Sequence, residues 1–203
     1  MQSAKVLLAA LIETHGTDKG VYAPAYEILL RHRREQIRAV LEIGIGTMIE
    51  GAWSSMKGNA RDDYQPGASL RVWRDYFPHA RIVGLDTQPD TQFAEPRIET
   101  FLCDSTDSTQ VERLRASSLA GRTFDFVIDD GSHVTEDQIK TLSNFFPLLA
   151  HGGVYVIEDI PGSTALYKNP VLVAPIVGEA NWCVLSGPEP DNRGEWKLIV
   201  ISR

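Results

Sequence analysis

The stretches Phe124-Asp125-Phe126-Val127-Ile128 and Val154-Tyr155-Val156-Ile157 are near-continuous runs of apolar residues. Such runs are typical of parallel β-strands that are buried on both faces of a sheet. The segment between them has helical character. It opens at Thr135 and carries Gln138 three residues later, which is the spacing of an N-terminal capping box. Two buried strands joined by a helix predict a parallel βαβ unit.

The rest of the chain repeats this alternation of apolar runs and helical segments. Further strands are predicted over residues 38–43, 81–85, 98–102, 182–185 and 196–201. The last two are joined by a turn-rich segment, which indicates a hairpin. We therefore predict a single α/β domain over residues 1–203, with residues 1–37 as an N-terminal helical cap. Its core would be a doubly wound, mostly parallel seven-stranded sheet with an antiparallel C-terminal hairpin.

Composition and charge exclude several classes of protein. Hydrophobic residues make up 43% of the 203 residues and the net charge is −7, so we expect a globular protein that does not bind nucleic acid. The apolar segment 6–12 is too short for a membrane span and predicts an amphipathic helix rather than a signal peptide, so we expect no membrane partner. The two cysteines, Cys103 and Cys183, favour a cytoplasmic location.

A glycine turn, Glu42-Ile43-Gly44-Ile45-Gly46, directly follows the first predicted strand. Such a turn lets the backbone approach a ligand closely, although some turns of this kind only connect a strand to a helix. Asp86 ends the second strand, where a carboxylate can accept hydrogen bonds from ribose hydroxyls. It lies further along the chain than the roughly 20 residues usual in NAD sites, which argues against NAD. Asp104, after the third strand, could meet an adenine amino group or simply be solvated.

Acidic residues cluster where the two most apolar strands end. Asp129, Asp130 and His133 follow one strand, and Glu158 and Asp159 end the other. Carboxylates at adjacent strand ends should converge, repel one another and raise one another's pKa. A divalent cation that prefers oxygen ligands, such as Mg²⁺, Mn²⁺ or Ca²⁺, would relieve this repulsion. The alternative is that these acids only cap the following helix and loop.

His133 is the candidate general base of this cluster. Methylation of an alcohol requires removal of a weakly acidic proton, and a coordinated cation would lower the pKa of that hydroxyl. A neutral imidazole can then accept the proton.

The glycine turn resembles the first motif of class I S-adenosylmethionine-dependent methyltransferases, in which an acid precedes Gly-x-Gly. The resemblance implies a Rossmann-like methyltransferase fold and S-adenosylmethionine as cofactor. It assigns the following residues to the cofactor: Glu42, Gly44 and Gly46 to the methionine part, Asp86 to the ribose, and Asp104 and Ser105 to the adenine.

A narrower resemblance covers most of the chain. The motifs that carry it are Gly16-Thr17-Asp18-Lys19, Leu41-Glu42-Ile43-Gly44-Ile45-Gly46, Ser69-Leu70-x-x-Trp73-x-x-Tyr76-Phe77-Pro78, Ile128-Asp129-Asp130-Gly131-Ser132-His133 and Tyr155-Val156-Ile157-Glu158-Asp159. In this order they resemble the metal-dependent sugar O-methyltransferases of actinobacteria, which act on deoxysugars of macrolides and related glycosides or on methylated mannose polysaccharides. The resemblance implies Mg (or Mn) held by Asp130, Glu158 and Asp159, with His133 as the base. It also implies that Ser69 lies near the amino-acid end of the cofactor.

The acceptor and the assembly are less constrained. Macrolide enzymes of this type carry an additional N-terminal domain, so for these 203 residues we expect a simpler carbohydrate acceptor such as a methylmannose oligosaccharide. A catechol or other phenol is the alternative acceptor, and aromatic lining around Tyr167 and Trp182 would favour it. Residues 161–179 are expected to contribute to the acceptor site. A non-catalytic cofactor-binding domain and a homo-oligomer both stay open.

Overall fold

The structure is a computed structural model, and it describes residues 8–52, 54, 56–59, 63–160, 173–188 and 195–203. These ranges contain the predicted alternation of strands and helices. Both cysteines are free thiols. None of the described helices has the length and apolar character that crossing a membrane would require.

One mixed sheet forms the centre of the described chain. Its strands are β1 (Ala39–Ile43), β2 (Arg81–Asp86), β3 (Ala94–Glu95), β4 (Ile98–Leu102), β5 (Phe124–Asp129), β6 (Leu149–Ile157), β7 (Asn181–Pro188) and β8 (Glu195–Ser202). They lie in the order β3-β4-β2-β1-β5-β6-β8-β7. The five strands from β4 to β6 are parallel, and β8 and β7 follow antiparallel. The predicted α/β fold class and the antiparallel C-terminal strands are confirmed.

The described sheet has eight strands rather than the predicted seven. The additional strand, β3, contains two residues and pairs antiparallel with β4. Two residues are too few to carry an alternating or continuous apolar pattern, which is why the sequence did not reveal this strand.

Helices cover both faces of the sheet. They are α1 (Leu8–His15), α2 (Ala23–Leu30), α3 (Met56–Asn59), α4 (Ala68–Tyr76), α5 (Ser108–Ala116), α6 (Thr135–Phe145) and α7 (Ala174–Val177), with short 3₁₀ turns at Lys19–Tyr22, Arg31–Arg33, Pro89–Thr91 and Phe146–Leu148. Alternate residues of one strand enter different cores: Val40 belongs to the core with α1, α2 and α4, whereas Leu41 belongs to the core with α5 and α6. This alternation is the physical basis of the double winding, because successive side chains of a strand point to opposite faces.

The N-terminal helices pack directly on the sheet. Gly16, with φ of 71°, ends α1, and Pro24 stands in the first turn of α2, where a missing amide hydrogen costs nothing. Tyr26 and Leu30 of α2 are fully buried in the first core. The division into one domain with a cap over residues 1–37 stays a prediction.

The predicted capping box of α6 is wrong. Val134 occupies the N-cap position and no side chain caps the helix. The Gln138 amide instead donates to the Glu158 carbonyl oxygen at 3.1 Å, which ties α6 to the end of β6. A buried backbone carbonyl that needs a donor outweighed the local helix-end contact.

Candidate active site

A cavity of about 350 Å³ opens at the carboxyl edge of the parallel strands. Ligands of open α/β sheets bind at this edge. Six of the seven residues predicted to bind the cofactor line the cavity, namely Gly44, Gly46, Ser69, Asp86, Asp104 and Ser105. Their roles toward a cofactor stay predictions, but the fold brings these six residues to one cavity.

Gly44 and Gly46 are required by the geometry of the turn. Both have positive φ, 83° and 79°. A Cβ atom on Gly44 would lie 2.0 Å from the carbonyl oxygen of Asp130, and one on Gly46 would lie 2.2 Å from the hydroxyl of Tyr64. The turn therefore lets the backbone after β1 approach the end of β5 more closely than a side chain would allow.

Asp86 fastens this turn to β2. Its Oδ2 accepts a hydrogen bond from the Ile45 amide at 2.9 Å, and its Oδ1 accepts one from the Gln88 amide at 3.0 Å. Burial raises the pKa of Asp86, although these amides favour the ionised form. The carboxylate thus lies on the cavity wall with its orientation set by two backbone groups.

The same cavity is lined by the two residues predicted for the adenine. Asp104 accepts from the amide and the hydroxyl of Thr106, at 2.9 and 2.7 Å. The hydroxyl of Ser105 lies 2.8 Å from that of Thr141 on α6. Both side chains are held by the loop or by the neighbouring helix.

Glu42 is placed differently from the other cofactor candidates. It is fully buried and is not among the described residues that line the cavity. The Trp73 indole donates to its Oε2 at 3.0 Å, and its Oε1 lies 3.1 Å from the Lys19 ammonium. Burial raises the pKa of Glu42, and the Lys19 charge opposes this rise. A direct contact of Glu42 with the cofactor stays a prediction.

The predicted convergence of acids occurs beside this cavity. Asp130, His133 and Asp159 each offer an atom, and these atoms lie within 4.8 Å of one another. The His133 Nε2 atom is 3.1 Å from Asp130 Oδ1 and 3.4 Å from Asp159 Oδ2. His133 and Asp159 have positive φ of 57° and 50°. Non-glycine residues rarely adopt this conformation, and it is enriched at ligand sites.

Glu158, the third predicted metal ligand, faces another partner. It is 1% exposed, its Oε2 lies 2.6 Å from the Lys19 ammonium, and its Oε1 accepts a hydrogen bond from the Tyr26 hydroxyl. The predicted set of Asp130, Glu158 and Asp159 as metal ligands stays a prediction. In the structure, Asp130 and Asp159 converge with His133, whereas Glu158 pairs with Lys19.

Burial raises the pKa of two of the clustered acids, and repulsion from neighbouring carboxylates adds to this rise. Burial and the neighbouring Asp130 charge raise the pKa of Asp159, and burial raises that of Glu158 well above its usual range. For Asp130 the predicted rise is wrong. Burial acts to raise its pKa, but the Lys19 ammonium and the hydrogen bond from His133 outweigh burial and lower it. Burial lowers the pKa of His133, yet the hydrogen bond and charge of Asp130 raise it above the ordinary histidine value.

No role was predicted for Lys19 from the sequence. It appears only in the motif Gly16-Thr17-Asp18-Lys19, and the structure places it at the centre of the acids with 1% exposure. A lysine in a glycine-containing loop usually lies on the surface. Only the contacts between the N-terminal segment and the strand ends reveal its burial.

The residues of this cluster fit a divalent cation. Carboxylate oxygens such as those of Asp130 and Asp159 are the ligands that Mg²⁺ and Mn²⁺ prefer, and the imidazole of His133 stands beside them. Asp159 and Asp18 both have a pKa raised by burial and by the charge of Asp130. A cation near these carboxylates would relieve that repulsion.

Aromatic residues near the acids differ from those expected. Tyr167 lies outside the described residues, and Trp182 on β7 packs against the second core rather than lining the cavity. The Tyr22 hydroxyl instead donates to Asp159, and the Trp196 ring meets the Tyr22 ring edge-on at 5.7 Å. Of the region predicted for the acceptor, residues 161–172 also lie outside the described part.

Comparison with known proteins points to one group of enzymes. The chain is 35% identical over 159 residues to 8-demethyl-8-alpha-L-rhamnosyl tetracenomycin-C 2'-O-methyltransferase of Streptomyces olivaceus, covering 77% of this chain and 38% of that protein. It is 34% identical over 139 residues to mycinamicin VI 2''-O-methyltransferase of Micromonospora griseorubida, covering 68% of this chain and 31% of that protein. The chain is a homologue of actinobacterial sugar O-methyltransferases. The resemblance identified from the five motifs is confirmed.

Solved structures of such homologues share the fold. A structure of the MycE methyltransferase from the mycinamycin pathway, in complex with Mg, SAH and mycinamycin VI, has a TM-score of 0.72 and 26% identity, covering 98% of this chain and 55% of that one. An O-methyltransferase from Bacillus cereus in complex with SAH has a TM-score of 0.59 at 13% identity, which shows the fold alone; 100% of this chain and 93% of that one are covered. The Rossmann-like methyltransferase fold is therefore confirmed.

Two further findings describe the extent of these similarities. The scan against protein-family models found no matching model. The chain spans between 31% and 38% of the length of the curated relatives that it matches.

Proposed function

We propose that this chain binds S-adenosylmethionine and, with Mg²⁺, transfers the methyl group to a sugar hydroxyl of a glycoside or oligosaccharide. One observation carries the proposal: Asp130 lines the cavity of the glycine turn and also belongs to the cluster with His133 and Asp159. A methyl donor in the cavity would therefore lie beside a candidate base and a candidate cation site.

The cavity suits the cofactor in its shape and in its polar groups. Gly44 and Gly46 both line the cavity, so the turn presents backbone rather than side chains to a methionine part bound there. Asp86 is oriented by two amides and still has lone pairs for ribose hydroxyls. Asp104 and Ser105 follow β4, where an adenine would end if its ribose lay at Asp86.

His133 is the proposed general base. Its Nε2 lies between Asp130 and Asp159, and two carboxylates stabilise an imidazolium once the ring has taken a proton. The reaction is an in-line displacement in which the methyl carbon leaves the cofactor sulfur and bonds to the acceptor oxygen. The hydroxyl proton passes to His133, and S-adenosylhomocysteine is released.

The cation has a defined share in this chemistry. When bound by Asp130 and Asp159, with Glu158 as the third proposed ligand, it would lower the pKa of an acceptor hydroxyl and hold it in place. The chain itself aligns donor and acceptor, which supplies much of the rate in such displacements.

The relatives support a sugar as acceptor. Those named above act on a rhamnosyl tetracenomycin and on mycinamicin VI, by their names. A methylmannose oligosaccharide is one member of the proposed acceptor class.

The test is a transfer assay with S-adenosylmethionine labelled in its methyl group. The acceptor panel contains rhamnosides and mannosides, each methylated and unmethylated, together with catechol. We expect label on a sugar, loss of transfer in EDTA, and recovery when Mg²⁺ or Mn²⁺ is restored. Turnover in EDTA would contradict the metal requirement. Labelling of catechol alone would contradict the sugar, and cofactor binding without any transfer would favour a non-catalytic domain.

A further inference from the structure

Lys19 is surrounded by carboxylates from three strand ends. Its ammonium lies 3.1 Å from Glu42, 2.8 Å from Asp130 and 2.6 Å from Glu158. The lysine comes from the turn before α2, and the acids come from β1 and from the ends of β5 and β6. One cation from the N-terminal segment thus joins the glycine-turn strand to both strands of the acid cluster.

The contacts of Lys19 use oxygens that a metal would need. Its ammonium contacts Asp130 Oδ2 and Glu158 Oε2, and these residues are two of the three proposed metal ligands. Asp130 Oδ1 is left facing His133. Lys19 and a divalent cation would therefore compete for Asp130 and Glu158.

The burial of these charged groups makes their pairing important for stability. Lys19 is 1%, Glu42 0% and Glu158 1% exposed. Buried carboxylates are costly unless a cation or hydrogen-bond donors accompany them. Among the described residues, the lysine or arginine that forms ion pairs with Glu42, Asp130 and Glu158 is Lys19. One ammonium thus faces three carboxylates and offsets part of their charge, while the Trp73 indole, the Tyr26 hydroxyl and His133 add hydrogen bonds to them.

We propose that Lys19 is a positioning residue that serves as an internal counter-cation. It holds the acids together in the absence of metal and competes with the divalent cation for Asp130 and Glu158. The inference rests on the metal site of the proposed function. It implies that folding of this protein does not depend on metal, and that its cation affinity is lower than its ligands alone would produce.

The experiment measures Mn²⁺ affinity by electron paramagnetic resonance and thermal unfolding with and without Mg²⁺. Lys19→Met removes the charge and keeps much of the length of the side chain. We expect Lys19→Met to bind Mn²⁺ at least about tenfold more tightly than the wild type, because a like charge beside the site is gone. In EDTA its melting temperature should fall by roughly 10 °C, and Mg²⁺ should restore most of that loss. The wild-type melting temperature should change little with Mg²⁺.

The matched control is Arg71→Met. Arg71 is a partly buried cation on α4 that pairs with Glu95 at 2.7 Å, and it contacts none of the three acids. This variant should keep the wild-type Mn²⁺ affinity and the wild-type response to Mg²⁺. An effect equal to that of Lys19→Met would overturn the proposal.

A second variant covers the case in which Lys19→Met does not fold in EDTA. Lys19→Met/Glu42→Gln removes one acid together with the cation, so fewer unpaired charges remain buried. It should fold without metal and still bind Mn²⁺ more tightly than the wild type.

The outcomes separate this inference from the proposed function. If the wild type binds Mn²⁺ and the Lys19 variants bind it equally or more weakly, the counter-cation role of Lys19 is contradicted and the proposed metal site is supported. If the Lys19 variants alone bind Mn²⁺, the counter-cation role of Lys19 is supported, and the metal requirement proposed for the wild type is contradicted. Absence of binding in every protein overturns both.

Discussion

The carbonyl oxygen of Asp130 occupies the position where a side chain at Gly44 would begin, 2.0 Å from an ideal Cβ atom. The glycine turn after β1 and the acid cluster after β5 are thus in backbone contact. The Asp130 amide also donates to the Ile43 carbonyl at 2.8 Å. This close approach places the proposed methyl donor beside the proposed base.

Gly44→Ala should therefore disrupt the turn. A left-handed φ of 83° costs an alanine about 1–2 kcal/mol, and the clash with Asp130 adds roughly 1–3 kcal/mol. Urea unfolding should show a loss of about 2–5 kcal/mol, and calorimetry should show loss of S-adenosylhomocysteine binding.

Gly51→Ala is the matched control for that variant. Gly51 has a φ of 84°, but an added Cβ would meet no atom within 4 Å. It should therefore show the backbone cost alone and retain ligand binding. Equal losses of stability and of ligand binding in the two variants would show that the close contact of Gly44 with the Asp130 carbonyl is not their cause.

Asp86→Asn should weaken binding of S-adenosylhomocysteine by roughly 10- to 100-fold, because hydrogen bonds to a charged acceptor contribute about 1.5–3 kcal/mol. Asp90→Asn is the control, since Asp90 also accepts from a backbone amide, that of Met48 at 2.8 Å, but does not line the cavity. Calorimetric titration of both variants with S-adenosylhomocysteine measures the two affinities. Equal weakening would indicate that Asp86 only supports the loop.

His133→Ala should lower kcat by roughly 10²- to 10⁴-fold, which is the usual contribution of a general base. The affinity for S-adenosylhomocysteine should stay near that of the wild type, because His133 does not line the cavity. The control is His15→Ala, which removes an imidazole paired with Asp75 on α4 at 2.8 Å. Steady-state rates with the best sugar acceptor provide the measurement, and an unchanged kcat would exclude His133 as the base.

Asp129 should make the protein less stable as the pH rises. Burial raises the pKa of Asp129 to about 7, whereas in the unfolded chain it is about 4. Between these values the unfolded chain loses a proton that the folded protein keeps, so stability falls with pH through this window and levels off above it. Asp129→Asn removes this titration.

The stability of Asp129→Asn relative to the wild type should therefore rise by about 2–3 kcal/mol between about pH 5 and about pH 8. Urea unfolding of both proteins in EDTA at several pH values tests this. A difference that does not vary with pH would show that Asp129 titrates normally in the folded state.

Local patterns in the sequence were enough to predict most of the fold and the position of the site. Strands buried on both faces are continuous apolar runs, so β5 and β6 could be recognised from their residues alone. The carboxyl ends of parallel strands meet at one edge, so the positions of Asp130 and Asp159 in the sequence predicted their proximity.

Contacts between distant segments were decided only by the tertiary structure. The burial of Lys19, the pairing of Glu158 with it, and the contact of Gln138 with the Glu158 carbonyl join residues between 20 and 139 positions apart. Whether a polar side chain faces a ligand, a lysine or a carbonyl depends on which partner the packed chain brings within hydrogen-bond distance. Sequence periodicity determines which face of the sheet a residue occupies, and it holds no information about that partner. For the glycine turn, the sequence by itself predicted a close approach of the backbone to a ligand, and only the tertiary structure showed that the Asp130 carbonyl is also approached.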